Sequence, residues 1–185
     1  MNHIQPKNQC ILTIALSTRG FGFVVLEGRE MLVDWGVKTV EGNKNLQSLA
    51  QVRRLIAQYQ PKTLVLEDVS VKGSRRAPRI RALTRQIVKI APTLKVCVKL
   101  FSRHHMLKAF FTDGKGTKHL LAELMAKRFP EQLGRQLPPK RKPWQSEDPR
   151  MSIFVAAALA AMFHGGNVET DQLDANANPL ESRRI

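Results

Sequence analysis

The hydrophobic period of this chain changes after its first 40 residues, and the change limits the folds that it can adopt. Short apolar segments at 10–16, 21–26 and 31–40 are separated by turn-forming residues, which predicts three antiparallel strands joined by tight turns. Residues 45–59 instead carry apolar side chains at spacings of three and four, which is typical of an amphipathic helix. A strand meander followed by a helix is therefore expected at the start of the fold.

Strand-like and helix-like segments alternate through the rest of the chain. Residues 63–66 form a near-continuous apolar run and residues 96–100 alternate apolar with polar side chains, so both segments predict strands. The remaining helices are expected at 78–91, 103–111, 118–129 and 151–164, with a proline-rich basic loop at 130–147. The sequence thus predicts an α/β fold in which a mixed five-stranded sheet, an antiparallel meander plus parallel strands, is flanked by helices.

Length and composition limit the classes of protein that remain. Apolar residues make up 43% of the 185 residues, enough for a hydrophobic core. We expect residues 1–165 to form a single domain and residues 166–185, which hold few large apolar side chains, to form a loosely ordered tail. No apolar run reaches the roughly 18 residues that cross a bilayer, and the N-terminus lacks the pattern of a signal peptide. Cys10 and Cys97 show no metal-binding spacing. We expect an intracellular, cytoplasmic protein without a disulfide framework.

Positive charge is concentrated in the middle of the chain. The formal net charge is +15, and residues 71–142 alone hold 19 Lys and Arg against 3 acidic residues. Residues 1–70 hold 8 against 6, and residues 143–185 hold 3 against 6. A basic block of this density indicates a polyanionic partner, of which nucleic acid is the commonest. A solubilising face is the alternative explanation.

Three segments resemble RuvC-type Holliday junction resolvases, and they occur in the family's order. ILTIALSTRGFGFVVLEG at 11–28 resembles the first hairpin, and LVLEDV at 64–69 resembles the strand that carries the catalytic Glu. SEDPRMSIFVAAALAAMFH at 146–164 resembles the last helix, whose pattern is acid-Ala-x-x-Ala-Leu-Ala. The resemblance spans residues 10–165. It implies an RNase H-like fold and branched DNA as the partner.

The resemblance also implies a set of catalytic acids, and this sequence departs from that set. A two-metal phosphodiesterase needs carboxylates that converge on two Mg²⁺ ions about 4 Å apart. Ala15 stands where the family has its first-strand Asp, and Leu16 stands where a Pro often follows. Val155 aligns with the Asp of the last helix, and only Glu67 keeps its acid. The resemblance therefore implies a degenerate catalytic set, in which Glu67 is a vestigial or residual ligand.

Three hypotheses about function follow. The first is a RuvC-like protein that binds branched or structured DNA with little or no cleavage and needs no cofactor. The second is an active endonuclease that depends on Mg²⁺ or Mn²⁺ and uses Glu67, Asp68 and Asp148 in a rearranged site. Against it, Asp148 is also placed to cap the helix that follows, and Asp68 is placed at a solvated strand end on the opposite face from Glu67. The third is an inactive subunit that acts mainly within a protein complex.

Two basic segments are candidates for nucleic-acid contact. One follows the Glu67 strand and continues on the outer face of the next predicted helix; the other is the tract at 138–144, where a tryptophan could stack on an unpaired base or anchor the loop to the core. The candidate residues are Lys72, Arg75, Arg76, Arg79, Arg81, Arg85, Lys140, Arg141, Lys142 and Trp144. By analogy with the family we also expect a homodimer, or a place in a larger nucleoprotein complex.

Overall fold

The strands form the mixed sheet that the sequence predicts. The structure is a computed structural model that describes residues 10–70 and 76–165; the predicted tail at 166–185 lies outside the described residues. Its sheet has the order β3-β2-β1-β4-β5, in which β1 pairs antiparallel with β2 and parallel with β4. The strands are β1 (Cys10–Ser17), β2 (Gly20–Glu27), β3 (Met31–Thr39), β4 (Thr63–Asp68) and β5 (Cys97–Ser102). The central strand β1 thus joins the meander to the parallel part of the sheet.

Helices cover both faces of this sheet. One hydrophobic core lies between the sheet and α1 with α2, and a second lies between the sheet and the helices led by α4 and α6. The helices are α1 (Lys44–Tyr59), α2 (Pro78–Ile90), α3 (Arg103–Phe110), α4 (Lys118–Arg128), α5 (Pro130–Leu133) and α6 (Met151–Phe163). The short helix α5 and a 3-10 turn at Gly134–Gln136 lie within the segment that was expected to be a loop, because Pro130 is compatible with a first helical turn.

Side-chain caps set where three of these helices begin. Asn43, Ser102 and Thr117 each accept a hydrogen bond from a backbone N–H three residues later, at 3.1 to 3.2 Å. Helix α1 ends at Tyr59, and its C-cap residue, Gln60, has a left-handed backbone with φ of 45° and precedes Pro61. The helix starts therefore follow from local sequence.

Helix α6 packs closely against the sheet at Gly22. Every residue from Met151 to Ala161 is buried, and its many alanines present small side chains to its neighbours. Gly22 of β2 makes the contact close, because a Cβ atom added there would lie 2.3 Å from the carbonyl carbon of Ser152. Gly22 is also the antiparallel partner of Ala15 on β1. The first turn of α6 is therefore pressed against the sheet beside Ala15.

Replacing Gly22 tests this contact. We expect Gly22→Ala to lower the free energy of unfolding by about 2 kcal/mol, because the added methyl group overlaps backbone that has no room to move. Gly134→Ala is the matched control, since Gly134 has helical dihedral angles and no atom within 4 Å of an added Cβ. Urea denaturation measures both variants. Equal stability of Gly22→Ala and the parent chain would contradict this packing.

The end of α1 is fastened to β3 through the only tyrosine of the chain. The Tyr59 hydroxyl donates to Oδ2 of Asp34 and accepts from Nε2 of Gln58 at 2.8 Å. The Tyr59 carbonyl accepts from Sγ of Cys10 at 3.2 Å. Burial, and then the neighbouring Asp34 carboxylate, raise the pKa of the Tyr59 phenol to about 12.

This shift predicts a loss of stability in alkaline solution. Because the pKa in the folded chain lies above the value of about 10 in an unfolded chain, the protonated phenol stabilises the fold fully below pH about 10. That contribution is lost as the pH rises towards about 12. Tyrosinate absorbance reports Tyr59 alone, and we expect Asp34→Asn to lower its midpoint. A midpoint near 10 in the folded parent chain would refute the interaction.

Candidate functional site

Three positions on three elements meet near the C-terminal end of β1. The parallel register pairs Ile14 with Leu66, so the next residues along, Ala15 and Glu67, are neighbours on β1 and β4. Alternation places both on the sheet face that α6 covers. Val155 of α6 and Ala15 are both buried, at 4% and 2% exposure, and both line a cavity of about 350 Å³. The structure thus brings together the positions at which the resemblance implies acids.

The cavity is polar around this apolar floor. The β1–β2 turn forms one side, the start of α4 another, and the segment that leads into α6 a third. The charged residues of the lining are Arg19, Arg76, Lys118, Glu147 and Asp148, and the hydroxyl residues are Ser17, Thr18, Ser146 and Ser152. Lys118 and Arg19 are absent from the residues predicted by sequence. Lys118 lies outside the three segments that carry the resemblance, and Arg19 lies within the first of them but outside the basic block at 71–142.

Glu67 is buried and bonded to a cation. Its side chain is 9% exposed, and Oε2 accepts a hydrogen bond from Nη2 of Arg76, with which it forms an ion pair. Arg76 is 25% exposed and lines both the large cavity and a smaller one beside Glu67. A guanidinium therefore neutralises the carboxylate of Glu67.

The two other candidate acids have local partners. Oδ1 of Asp68 accepts from the N–H and hydroxyl of Ser70, at 2.9 and 2.6 Å, which closes a turn after β4. Asp148 forms an ion pair with Arg150, with 2.8 Å between Oδ2 and Nη2. That hydrogen bond, more than any other contact, lowers the pKa of the Asp148 carboxyl. Asp148 is not the N-cap residue of α6, which is Arg150, but its Oδ1 accepts a hydrogen bond from the backbone N–H of Arg150 at 2.9 Å.

The residues at this place do not fit a two-metal site. Within residues 10–70 and 76–165, no three or more His, Cys, Asp or Glu side chains form a group that could hold a metal ion. Ala15 and Val155 offer no oxygen ligand. Arg76 further places a positive charge on the only acid at the three converging positions.

Two other contacts hold the walls of the cavity. Nζ of Lys118 lies 2.7 and 2.8 Å from the two carboxylate oxygens of Glu147, and so ties α4 to the segment before α6. The Arg79 guanidinium donates to the carbonyl oxygens of Ser17 and Thr18, at 2.8 and 3.2 Å, and to Oδ1 of Asn45 at 2.9 Å. Arg79 therefore supports the β1–β2 turn from within the fold, and its contact with nucleic acid stays a prediction.

The remaining basic candidates lie on the surface. Arg81 and Arg85 are exposed on α2, and Lys140, Arg141 and Lys142 are exposed in the loop before α6. Lys72 and Arg75 lie outside the described residues. Trp144 is 78% exposed, with Nζ of Lys142 at 5.6 Å from its ring centroid. The alternative in which Trp144 anchors the loop to the core is therefore wrong.

Comparison with known proteins identifies the fold. No protein-family model and no curated protein matches the sequence. Solved structures do match: Thermus thermophilus RuvC has a TM-score of 0.60 and 13% identity over 83% of this chain and 92% of that chain. The same protein in complex with a Holliday junction substrate gives 0.60 and 12% over 83% and 90%. The yeast mitochondrial Holliday junction resolvase gives 0.57 and 13% over 83% and 78%.

The chain therefore has a RuvC-like resolvase fold, of the RNase H-like type. This confirms the fold that the sequence motifs imply. No helix in the described part of the chain is long and apolar enough to cross a membrane.

The Glu67–Arg76 pair predicts a strong coupling in stability. We expect Arg76→Met to lower the free energy of unfolding by about 2 kcal/mol, because it leaves a buried carboxylate without its cation. The double variant with Glu67→Gln should regain most of that loss. Urea denaturation of the single and double variants measures the coupling.

The Lys118–Glu147 pair is the matched control. Its side chains are 28% and 44% exposed, so Lys118→Met should cost less than about 1 kcal/mol. If Arg76→Met costs no more than Lys118→Met, the carboxylate of Glu67 does not depend on Arg76.

Proposed function

We propose that this chain is a RuvC-like protein that binds branched or structured DNA with little or no cleavage. The observation that carries the proposal is the arrangement at the end of β1. Ala15 and Val155 line the cavity there, and the one retained acid, Glu67, is paired with Arg76. A fold similar to that of a RuvC solved with a Holliday junction substrate supports DNA as the partner.

The donor set argues against efficient cleavage. Mg²⁺ and Mn²⁺ take hard oxygen ligands, and a two-metal reaction needs several carboxylates to hold both ions in line with the scissile phosphate. Here one carboxylate remains at the three converging positions, and a guanidinium neutralises it. When bound, such ions would activate water and stabilise the leaving oxygen. The residues present give them few ligands.

The surface charge supports binding through the DNA backbone. Exposed cations can contact phosphates, which gives affinity without base specificity. Those on the described surface are Arg81, Arg85 and the three cations at 140–142. Beside the last group, the exposed ring of Trp144 offers a face for stacking on an unpaired base. We include Lys72 and Arg75 among the proposed phosphate contacts because of their position in the sequence alone. Branched DNA provides both closely spaced phosphates and unstacked bases.

A four-way junction tests the proposal directly. We expect the protein to bind a junction more tightly than the matching duplex, with affinity that falls steeply as salt rises from about 50 to 200 mM. Replacing Lys140, Arg141 and Lys142 by Gln should weaken binding and reduce the salt slope. Trp144→Ala should weaken junction binding without changing that slope. Fluorescence anisotropy with labelled DNA measures the affinity for the junction, the affinity for the duplex and the salt dependence of each variant.

The same substrates separate this proposal from the two other hypotheses. Incubation with Mg²⁺ or Mn²⁺ should leave the junction strands intact on a denaturing gel. Cleavage that disappears in Glu67→Gln would establish the metal-dependent endonuclease instead. Absence of junction binding at low salt would favour the subunit that acts within a protein complex.

A further inference from the structure

The large cavity holds fixed cations at the place where the resemblance implies metal ligands. We propose that the cavity binds one backbone phosphate of the DNA without metal. The Arg76 guanidinium, held by Glu67, supplies the positive charge that a divalent cation would otherwise provide there. This inference rests on the proposed function and names the group that the site would take.

Three cations, Arg19, Arg76 and Lys118, and two acids, Glu147 and Asp148, line the cavity. Lys118 pairs with Glu147, Arg150 with Asp148, and Arg76 with Glu67. Arg19 is exposed at the rim, and no carboxylate in the described residues forms an ion pair with it. The cavity therefore carries a net positive charge, which favours an anion over a cation as its ligand.

Hydrogen-bond donors accompany that charge. Ser17, Thr18 and Ser146 are among the residues that line the cavity, and hydroxyl side chains are common partners of phosphate oxygens. The cavity volume of about 350 Å³ is at the lower end of the range for ligand sites, about 300–1,000 Å³. A phosphodiester with part of its two sugars is a ligand of suitable size and polarity.

Arg76 is suited to hold a phosphate because its position is already fixed. Glu67 is 9% exposed and bonds the guanidinium, so less side-chain freedom is lost when the phosphate binds. At 25% exposure, Arg76 is still accessible from the cavity. A planar guanidinium matches the geometry of phosphate oxygens.

The replacement also explains why a bound phosphate would stay intact. A guanidinium is permanently charged and offers no coordination site for water. A metal ion, in contrast, lowers the pKa of its bound water and so supplies a nucleophile. Arg76 would hold the phosphate that a metal-dependent relative cleaves.

Junction affinity with and without metal tests the inference. We expect the parent chain to bind a four-way junction equally well in EDTA and in Mg²⁺ at matched ionic strength. Arg76→Met combined with Glu67→Gln, which leaves no unpaired carboxylate, should weaken binding roughly ten- to hundredfold. Arg76→Lys keeps the charge but loses the planar fork, so it should weaken binding less.

Arg29→Gln is the matched control, because it removes one exposed arginine at the opposite end of the sheet, in the β2–β3 turn. Its affinity should stay within about twofold of the parent chain, as expected for one remote charge. Inorganic phosphate supplies a second measurement that needs no DNA. It should raise the melting temperature of the parent chain and not that of the Glu67→Gln/Arg76→Met variant.

The outcomes distinguish this inference from the proposed function. If the parent chain binds no junction, the proposed function fails. If it binds, but EDTA abolishes binding or the Arg76 double variant binds as the Arg29 control does, then DNA binding stands and the role of Arg76 is overturned. A phosphate-induced stabilisation that is equal in the parent chain and the double variant would also overturn it.

Discussion

The close contact between α6 and the sheet decides what the site can hold. Gly22 lets the first turn of α6 rest on the sheet beside Ala15, and from there α6 is buried over three turns. Positions 15 and 155 are consequently enclosed on all sides except the cavity. A carboxylate at either position would lose part of its hydration, at a cost that a bound cation or a hydrogen-bonded partner offsets. Packing and charge at this place therefore have to change together.

Alanine and valine are consistent with a site that does without metal. Carboxylates at 15 and 155 beside Glu67 would repel one another unless cations balanced them. In this chain Glu67 is the acid at these three positions, and Arg76 supplies its cation. The apolar floor and the Glu67–Arg76 pair therefore fit each other electrostatically. Additional carboxylates at 15 and 155 would require additional cations, whereas Glu67 alone is balanced by Arg76.

The sequence predicts the fold well because hydrophobic period and turn residues are local signals. The strand at 63–66 is recognisable from its own residues, and the helix at 151–164 is recognisable from its apolar and alanine-rich composition. The short helix Pro130–Leu133 was missed, since four residues carry too little periodicity to stand out from a proline-rich loop.

The site was only partly predictable, because its contacts join residues that no local pattern relates. The motifs do place Ala15 and Val155 near Glu67, since the order of strands and helices brings their ends together. Several arginines follow β4 in the sequence, and no local pattern indicates that Arg76 is the one that bonds Glu67. Lys118 and Glu147 are 29 residues apart, and the exposure of Trp144 depends on how the loop before α6 runs.

The basic middle of the chain divides into two groups with different physical roles. The first group forms hydrogen bonds within the molecule. Arg76 bonds Glu67, Arg79 bonds the β1–β2 turn, and Lys118 bonds the segment before α6. Arg85 and the cations at 140–142 face solvent. Counterion release on DNA binding depends on the phosphates that are neutralised, so the second group should set the salt dependence of affinity. The first group instead shapes the cavity, where a fixed geometry matters more than the number of charges. Net charge alone indicates a nucleic-acid partner, whereas the internal ion pairs determine the shape and the charge of the cavity.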